Sequence, residues 1–265
     1  MKSSNPPLFP RTRRGSWWLV LACGICLAFA ASCKKSNADG GYPLPVQIDS
    51  IAARYLFSDA SSYGPDGLIR IHFLYQNGRI IRRQGEEVYI SAYNFTNLSL
   101  QVFDTVMYAG NHILIQTISR EPGYTPSANQ RDFTIANGRI QQLATVSDTT
   151  TYYYSGNRLS RTERVLGYNV FRKTFSYDGN GNLTQVNSTR FNTWDSSTVA
   201  LKTENFSGFD AVANPLHGFG LWDDLLYRSL STNNFSGYEY IQGTAGGRGT
   251  MELTYTSDGK IDYGN

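Results

Sequence analysis

The chain has 265 residues, of which 40% are hydrophobic, 14% aromatic and 17% charged, enough for one large all-β domain or two small ones. Its formal net charge is +3, but Lys2, Arg11, Arg13 and Arg14 belong to a leader-like N-terminus; without them the 24 basic residues fall to 20 against 21 acidic ones. A near-neutral domain carries no basic patch for phosphate neutralisation, which excludes nucleic-acid binding of that kind. Two of the three cysteines, Cys23 and Cys26, lie within the leader, so a disulfide framework is excluded from the rest of the chain.

Residues 1–32 read as a signal peptide: a basic n-region, then an uncharged run from Trp17 to Ala31, too short to span a bilayer comfortably. The run closes on Ala30-Ala31-Ser32-Cys33. Small residues directly before a cysteine resemble the lipobox of bacterial lipoproteins, which implies lipidation of Cys33 and cleavage in front of it. An ordinary secretory signal and an uncleaved N-terminal helix are the alternatives. Residues 33–46 form a tether of Lys, Ser, Asn, Gly and Pro with a reach of roughly 20 Å. Lipid chains on Cys33 would hold it stably to a membrane. Lys34 and Lys35 follow the cysteine and only Asp39 supplies an acid, which points to outer-membrane attachment with the leaflet left open.

From residue 47 to 265 the chain shows a repeated hairpin unit. Asn-Gly and Gly-Asn pairs supply the positive φ angles that two-residue hairpin turns require. The second pair out from each turn lies across the hairpin on one sheet face. Asn77-Gly78 thereby sets Tyr75 opposite Ile80; Gly110-Asn111 sets Tyr108 opposite Ile113; Asn137-Gly138 sets Ile135 opposite Ile140; Gly156-Asn157 sets Tyr154 opposite Leu159. Three-residue loops at Gly179-Asn180-Gly181 and Ser257-Asp258-Gly259 pair Tyr177 with Leu183 and Tyr255 with Ile261. Alternation on the approaching strands agrees: Ile69, Ile71, Phe73 and Tyr75 share one face, with Arg70, His72, Leu74 and Gln76 on the other. Turn spacing is uneven, so the expected fold is an all-β meandering antiparallel sheet rather than a solenoid of fixed period.

The last and longest gap holds one short helix. Leu221, Trp222, Leu225, Leu226 and Leu230 form its apolar side, with Asp223, Asp224 and Arg228 expected on a solvated face. Pro215, Gly218 and Gly220 precede it, and Ser231 to Asn234 follow as a turn. The helix is expected to pack on the sheet. Further on, glycine-rich Gly243 to Gly249 reads as a hairpin loop leading into a strand from Thr250 to Tyr255.

Tyr177-Asp178 followed by Gly181-Asn182-Leu183-Thr184 resembles the tyrosine-aspartate repeat of RHS-type proteins, which implies β-hairpin sheets. More of the chain is similar to Bacteroidota-type lipoproteins of unknown function, through Ser32-Cys33-Lys34-Lys35, Phe209-Asp210 with Asn214-Pro215, and Leu230-Ser231-Thr232-Asn233-Asn234. That resemblance implies an envelope protein with a β-sheet domain and brings no catalytic residues.

The chemistry-bearing residues are sparse. His72 and His112 fit outward positions in hairpins; His217 sits in a loop and is the more interesting of the three. Asp178 to Asn182 looks like the start of a calcium loop, yet Leu183 and Thr189 stand where its glycine and glutamate belong. No nucleophile elbow or phosphate-binding loop occurs, and no cofactor is implied. Aromatic strands remain: among Tyr152, Tyr153 and Tyr154 at least one faces out, and such rings stack on sugars or anchor interfaces. The expectation is a non-catalytic envelope module binding a protein or glycan, with Tyr153, His217 and Trp222 as weak binding-site candidates. The alternatives are an envelope hydrolase built near His217 and Asp223, or a structural component of a larger assembly.

Overall fold

The structure is a computed structural model, and it describes residues 47–52, 55, 70–90, 95–126, 129–217, 219–257 and 260–262. The signal segment, Cys33, the tether, Ile69 and the tip of the final hairpin lie outside the described residues. Fourteen strands follow one another in a single antiparallel meander: β1 (Ser50–Ala52), β2 (Arg70–Gln76), β3 (Arg79–Ile90), β4 (Phe95–Ala109), β5 (His112–Ser119), β6 (Gln130–Ala136), β7 (Arg139–Ala144), β8 (Thr149–Ser155), β9 (Arg158–Leu166), β10 (Asn169–Tyr177), β11 (Leu183–Asn192), β12 (Thr198–Ala213), β13 (Asn233–Gln242) and β14 (Ala245–Thr250). Helix α1 (Asp223–Ser229) is inserted between β12 and β13, and a small hairpin of β15 (Thr254–Tyr255) and β16 (Ile261–Asp262) closes the described chain. No helix among the described residues is long and apolar enough to cross a membrane.

All six cross-hairpin pairs form as turn chemistry dictates: Tyr75–Ile80, Tyr108–Ile113, Ile135–Ile140, Tyr154–Leu159, Tyr177–Leu183 and Tyr255–Ile261. Asn77 and Asn137 take the left-handed φ values of 52° and 54° ahead of their glycines. In four hairpins the partner strand carries one extra residue just beyond the pair, at Ile81, Gln141, Ser160 and Thr184. Such bulges increase local twist, and here they recur at one level of the sheet.

The turns of β2–β3, β4–β5, β6–β7, β8–β9 and β10–β11 all lie at one end of the sheet, here the near end. Ile48 enters there, its backbone N–H and carbonyl both bonded to the Tyr75 hydroxyl at 3.0 and 2.9 Å. Each hairpin is also tied to its neighbour. The Tyr154 and Tyr177 hydroxyls donate to the carbonyls of Ile140 and Leu159, both at 2.9 Å. The arginine after a turn lies over the tyrosine of the next hairpin: Arg79 over Tyr108, Arg139 over Tyr154 and Arg158 over Tyr177, at 5.1, 5.4 and 5.5 Å. Burial pushes the Tyr75 and Tyr108 hydroxyls up to about 12. Each cation–π contact is worth about 0.5–1 kcal/mol, and the ladder repeats it along the row.

The inner face of the sheet is largely apolar and curls around α1 and its approach. Phe73 on β2 meets Phe219 and Trp222 edge-on at 5.4 and 5.7 Å, while Phe206 on β12 and Phe175 on β10 meet Tyr227 at 5.4 and 6.5 Å. Strands at opposite ends of the order thus reach one short helix. Strands β1 and β14 stay unpaired with each other, but side chains connect residues that follow each of them. Buried Arg228 donates to the carbonyl of Tyr55 at 2.6 Å, and the Tyr55 hydroxyl contacts the carbonyls of Glu252 and Asp262 at 3.2 and 3.3 Å. Arg228 therefore points into the protein, contrary to its expected solvated position, because its guanidinium finds carbonyl acceptors and the Phe235 ring at 4.4 Å.

Asparagine and aspartate side chains stitch α1 to the sheet. Asn214 donates to the carbonyls of Arg228 and Ser231 at 2.6 and 3.0 Å and accepts from the Leu216 N–H at 2.9 Å. Asp210 accepts from the backbone and side-chain N–H of Asn234, both at 3.0 Å. Asn182 accepts from the Asn233 N–H at 2.8 Å, and the Ser231 hydroxyl accepts from the Leu183 N–H at 3.0 Å. Asp178 holds its own turn through the N–H groups of Asn180 and Asn182 at 2.9 and 2.8 Å, an Asx turn. A Cβ on Gly181, at φ +91°, would sit 2.6 Å from the Thr232 hydroxyl, so the close approach here requires glycine. The segment Gly243 to Gly249 departs from expectation: only Gly243-Thr244 turns, and the remaining glycines form the edge strand β14 paired to β13. Residues that lack side chains allow that close pairing.

Asn214→Ala strips buried carbonyls of their donor, and such orphaned groups cost about 1–3 kcal/mol each. Urea unfolding should show that loss, while Asn180→Ala, at an exposed turn position contributing its backbone N–H, should stay within about 0.5 kcal/mol of the parent.

Candidate functional site

The three candidates from the sequence lie in three different settings. Tyr153 is on the outer face, with the Arg161 guanidinium 4.1 Å over its ring and its hydroxyl bonded to Glu163 at 3.2 Å. Trp222 is 1% exposed; its indole N–H donates to Asp104 at 2.7 Å, so the ring packs the interior and offers no surface to a partner. His217 is exposed, its backbone bonded to the Asn214 carbonyl at 3.1 Å, and it lines a cavity of about 310 Å³ at the near end. That cavity lies between the hairpin tips of β6–β7, β8–β9 and β10–β11 and the segment around α1, and its lining contains no carboxylate. Asp223 is exposed as expected, but Asp224 is half-buried in an ionic cluster facing β3 and is not part of His217's cavity lining. His72 and His112 are exposed on hairpins, His112 beside Asp132 at 2.9 Å.

The ionic cluster was not anticipated. Arg83 contacts Asp224 and, at 2.9 Å, Glu86; Arg131 contacts Asp104 at 2.6 Å. Thr117 donates to the second Asp104 oxygen at 2.6 Å. Two guanidiniums face three carboxylates, and burial disfavours the charged form of the surplus acids. Burial pushes Glu86 up to about 7 against the pull of Arg83, and burial likewise raises Asp224. Burial would raise Asp104 too, but Arg131 and Arg83, with hydrogen bonds from Thr117 and Trp222, hold it below the usual range. One Asp224 oxygen has no hydrogen-bond donor among the described residues. No group of three or more metal-ligating side chains converges among the described residues.

At the opposite, far end of the sheet the surface is apolar and aromatic. Tyr168, in the β9–β10 turn, is 65% exposed; Trp194, in the β11–β12 turn, is 80% exposed. Their ring centroids lie 5.9 Å apart at 65°. The two turns are locked together, since the Thr193 N–H and hydroxyl both donate to the Tyr168 carbonyl at 2.8 and 3.1 Å. Within the second turn, Asn192 accepts from the Trp194 N–H at 2.8 Å and Asp195 from the Ser197 N–H at 2.9 Å. Val165, Leu166 and Val199 are exposed on the strands behind, and Val146 is 75% exposed on the β7–β8 turn. The sequence signal for this pair was Gly167, which opens a hairpin turn at φ 58° as Gly110 and Gly156 do but is followed by tyrosine rather than asparagine.

No family model matches the chain, and no curated protein matches it. Among solved structures it is similar to a porin-like protein from Bacteroides vulgatus ATCC 8482, at TM-score 0.47 and 12% identity, covering 73% of this chain and 84% of that one. A porin-like protein from Bacteroides uniformis ATCC 8492 gives TM-score 0.47 and 12% identity over 72% of this chain and 80% of that one. A likeness of that depth carries nothing over to this chain.

The cluster sets a pH dependence whose sign is determined. Glu86 holds its proton to higher pH in the fold than in the unfolded chain, so its contribution is fully present below about 4.5 and is lost as pH rises through about 7, and Asp224, raised by burial, acts in the same direction. Asp104, held low, acts oppositely and only as pH falls below 3.8. Melting temperature should therefore decline from pH 4.5 to 7.5, and Glu86→Gln should flatten that decline; an unchanged slope in the variant would place the titration elsewhere.

Proposed function

We propose that the chain is an envelope-anchored lipoprotein, lipid-modified on Cys33, whose sheet domain is a non-catalytic binding module for a partner protein or a glycan. The exposed Tyr168–Trp194 pair is the observation that carries the binding reading. Large rings left in water on turns already fixed by hydrogen bonds bring contact area to a partner with little ordering cost. The order of residues from Arg11 to Cys33 supports the anchoring.

Ile48 lies at the near end, and the aromatic turns lie at the far end. Strand β10, nine residues long, separates these levels by about 30 Å at roughly 3.3 Å per residue. Neither Asp223 nor Asp224 lines the cavity that holds His217, which favours the binding reading over the hydrolase alternative.

Two measurements test this. Metabolic labelling with palmitate should mark the protein and be abolished by Cys33→Ala. Affinity capture from envelope extract, run beside a glycan array, should yield a partner whose binding drops at least about tenfold in the Tyr168→Ala, Trp194→Ala double variant, as expected when central aromatic anchors are truncated. Binding retained in full by that variant would remove the pair from the reading.

A further inference from the structure

The near-end cavity carries a second, independent chemistry. Arg139 and Arg158 stand at its edge, and neither guanidinium pairs with a carboxylate among the described residues. Their partners are neutral: Arg139 donates to the Gly156 carbonyl at 2.7 Å and to the Asn157 side chain, and Arg158 donates to the Asp178 carbonyl at 3.3 Å. These bonds, with the tyrosine rings beneath, fix the position of both charges without neutralising either. His217 adds an imidazole to the same lining.

One part of the remaining wall is of the opposite character. Ile140, Leu159, Leu226 and Leu230 line the cavity beside Asn157, Ser229 and Thr232, and the Tyr154 and Tyr177 hydroxyls are engaged by the carbonyls of Ile140 and Leu159. Apolar walls lower the local dielectric, which strengthens the pull of the guanidiniums on a negative charge. About 310 Å³ is at the small end of the roughly 300–1,000 Å³ typical of ligand sites. We propose that this cavity binds a small anionic amphiphile, a single acidic head held by Arg139 and Arg158 with an apolar body against Leu226 and Leu230. A carboxylate and a phosphate monoester share that chemistry, and the test separates them.

Equilibrium dialysis of the full chain against radiolabelled octanoate, octyl phosphate, octanol and inorganic phosphate reads the site directly. Saturable binding of octanoate or octyl phosphate, at least about tenfold tighter than octanol and than inorganic phosphate, is expected; the tighter of the two identifies the head. Arg139→Gln with Arg158→Gln should weaken that binding about tenfold or more. Leu226→Trp, which fills the cavity and keeps both arginines, should abolish it, and this variant also subtracts uptake by detergent or by the lipid anchor. Octanol binding as tightly as octanoate and octyl phosphate, inorganic phosphate binding as tightly as both, no saturable binding of either amphiphile, or unchanged binding in Leu226→Trp would each overturn the proposal. Tyr168→Ala with Trp194→Ala should leave amphiphile binding unchanged, so failure here and failure of the far-end reading are told apart.

Discussion

A sheet of consecutive hairpins has one apolar face and no second sheet to cover it. In this protein every other feature of the fold answers that constraint. The segment from Asn214 to Thr232 is the only described connection that leaves the meander and returns along its inner side, bringing Leu216, Phe219, Leu221, Trp222 and Leu225 to near-complete burial. A seven-residue helix has too few turns to be stable by itself, so it depends on the sheet as much as the sheet depends on it. The curl of the strands, reinforced by bulges at one level in four hairpins, lets β2 to β4 and β10 to β13 grip the same helix from two sides.

Covering the face creates a second problem, since the chain must enter and leave the interior with its backbone polar groups satisfied. The Asn and Asp residues around Asp178, Asp210, Asn214 and Leu230 to Asn234 meet that need. In the sequence they carry resemblances only, Asp178 to the tyrosine-aspartate repeat and the others to Bacteroidota-type lipoproteins, without a physical reason for their presence. Their role is to bond orphaned carbonyls and N–H groups where three separate stretches of chain converge, as Asn214 does for Arg228 and Ser231. Side chains that carry both a donor and an acceptor suit such junctions, and apolar substitutes would leave groups buried and unpaired.

The hairpin register was legible because turn chemistry and period-two alternation fix it locally, within a few residues of each Asn-Gly or Gly-Asn. What remained hidden depended on contacts between distant strands or on a break in alternation. Strict alternation from Ile80 would turn Arg82 inward; the bulge at Ile81 turns Arg83 inward instead, opposite Phe73. Asp104 sits inward between Val102 and Val106, and nothing local reveals that Arg131, Thr117 and Trp222 will satisfy it. Asp224 and Arg228 read as solvated for the same reason: helical spacing reports which residues share a side, and a charge can sit on the buried side when a partner waits there. Tyr168 and Trp194 were passed over because strand aromatics are ordinarily explained by packing, and exposure on a turn cannot be read from residue type.

The inner face is graded along the strands. Near the entry of the chain it is the row of tyrosine and aliphatic pairs; farther along it becomes charged, through Arg83, Asp104, Arg131, Lys173, Lys202 and Glu204. These charged groups are answered internally: Tyr227 and Tyr238 hold Glu204 at 2.9 and 3.1 Å, and Lys202 completes its shell at 2.9 Å. A charge already matched inside a fold has little left to give an outside partner, because exchanging one set of bonds for another gains little. Capacity remains in groups whose present partners are neutral, among them the guanidiniums of Arg139 and Arg158 at one end, and in the exposed rings of Tyr168 and Trp194 at the other. Both sets sit at the ends of the hairpins, where the meander exposes its turns, and the strands between them serve to hold the two ends apart at fixed distance.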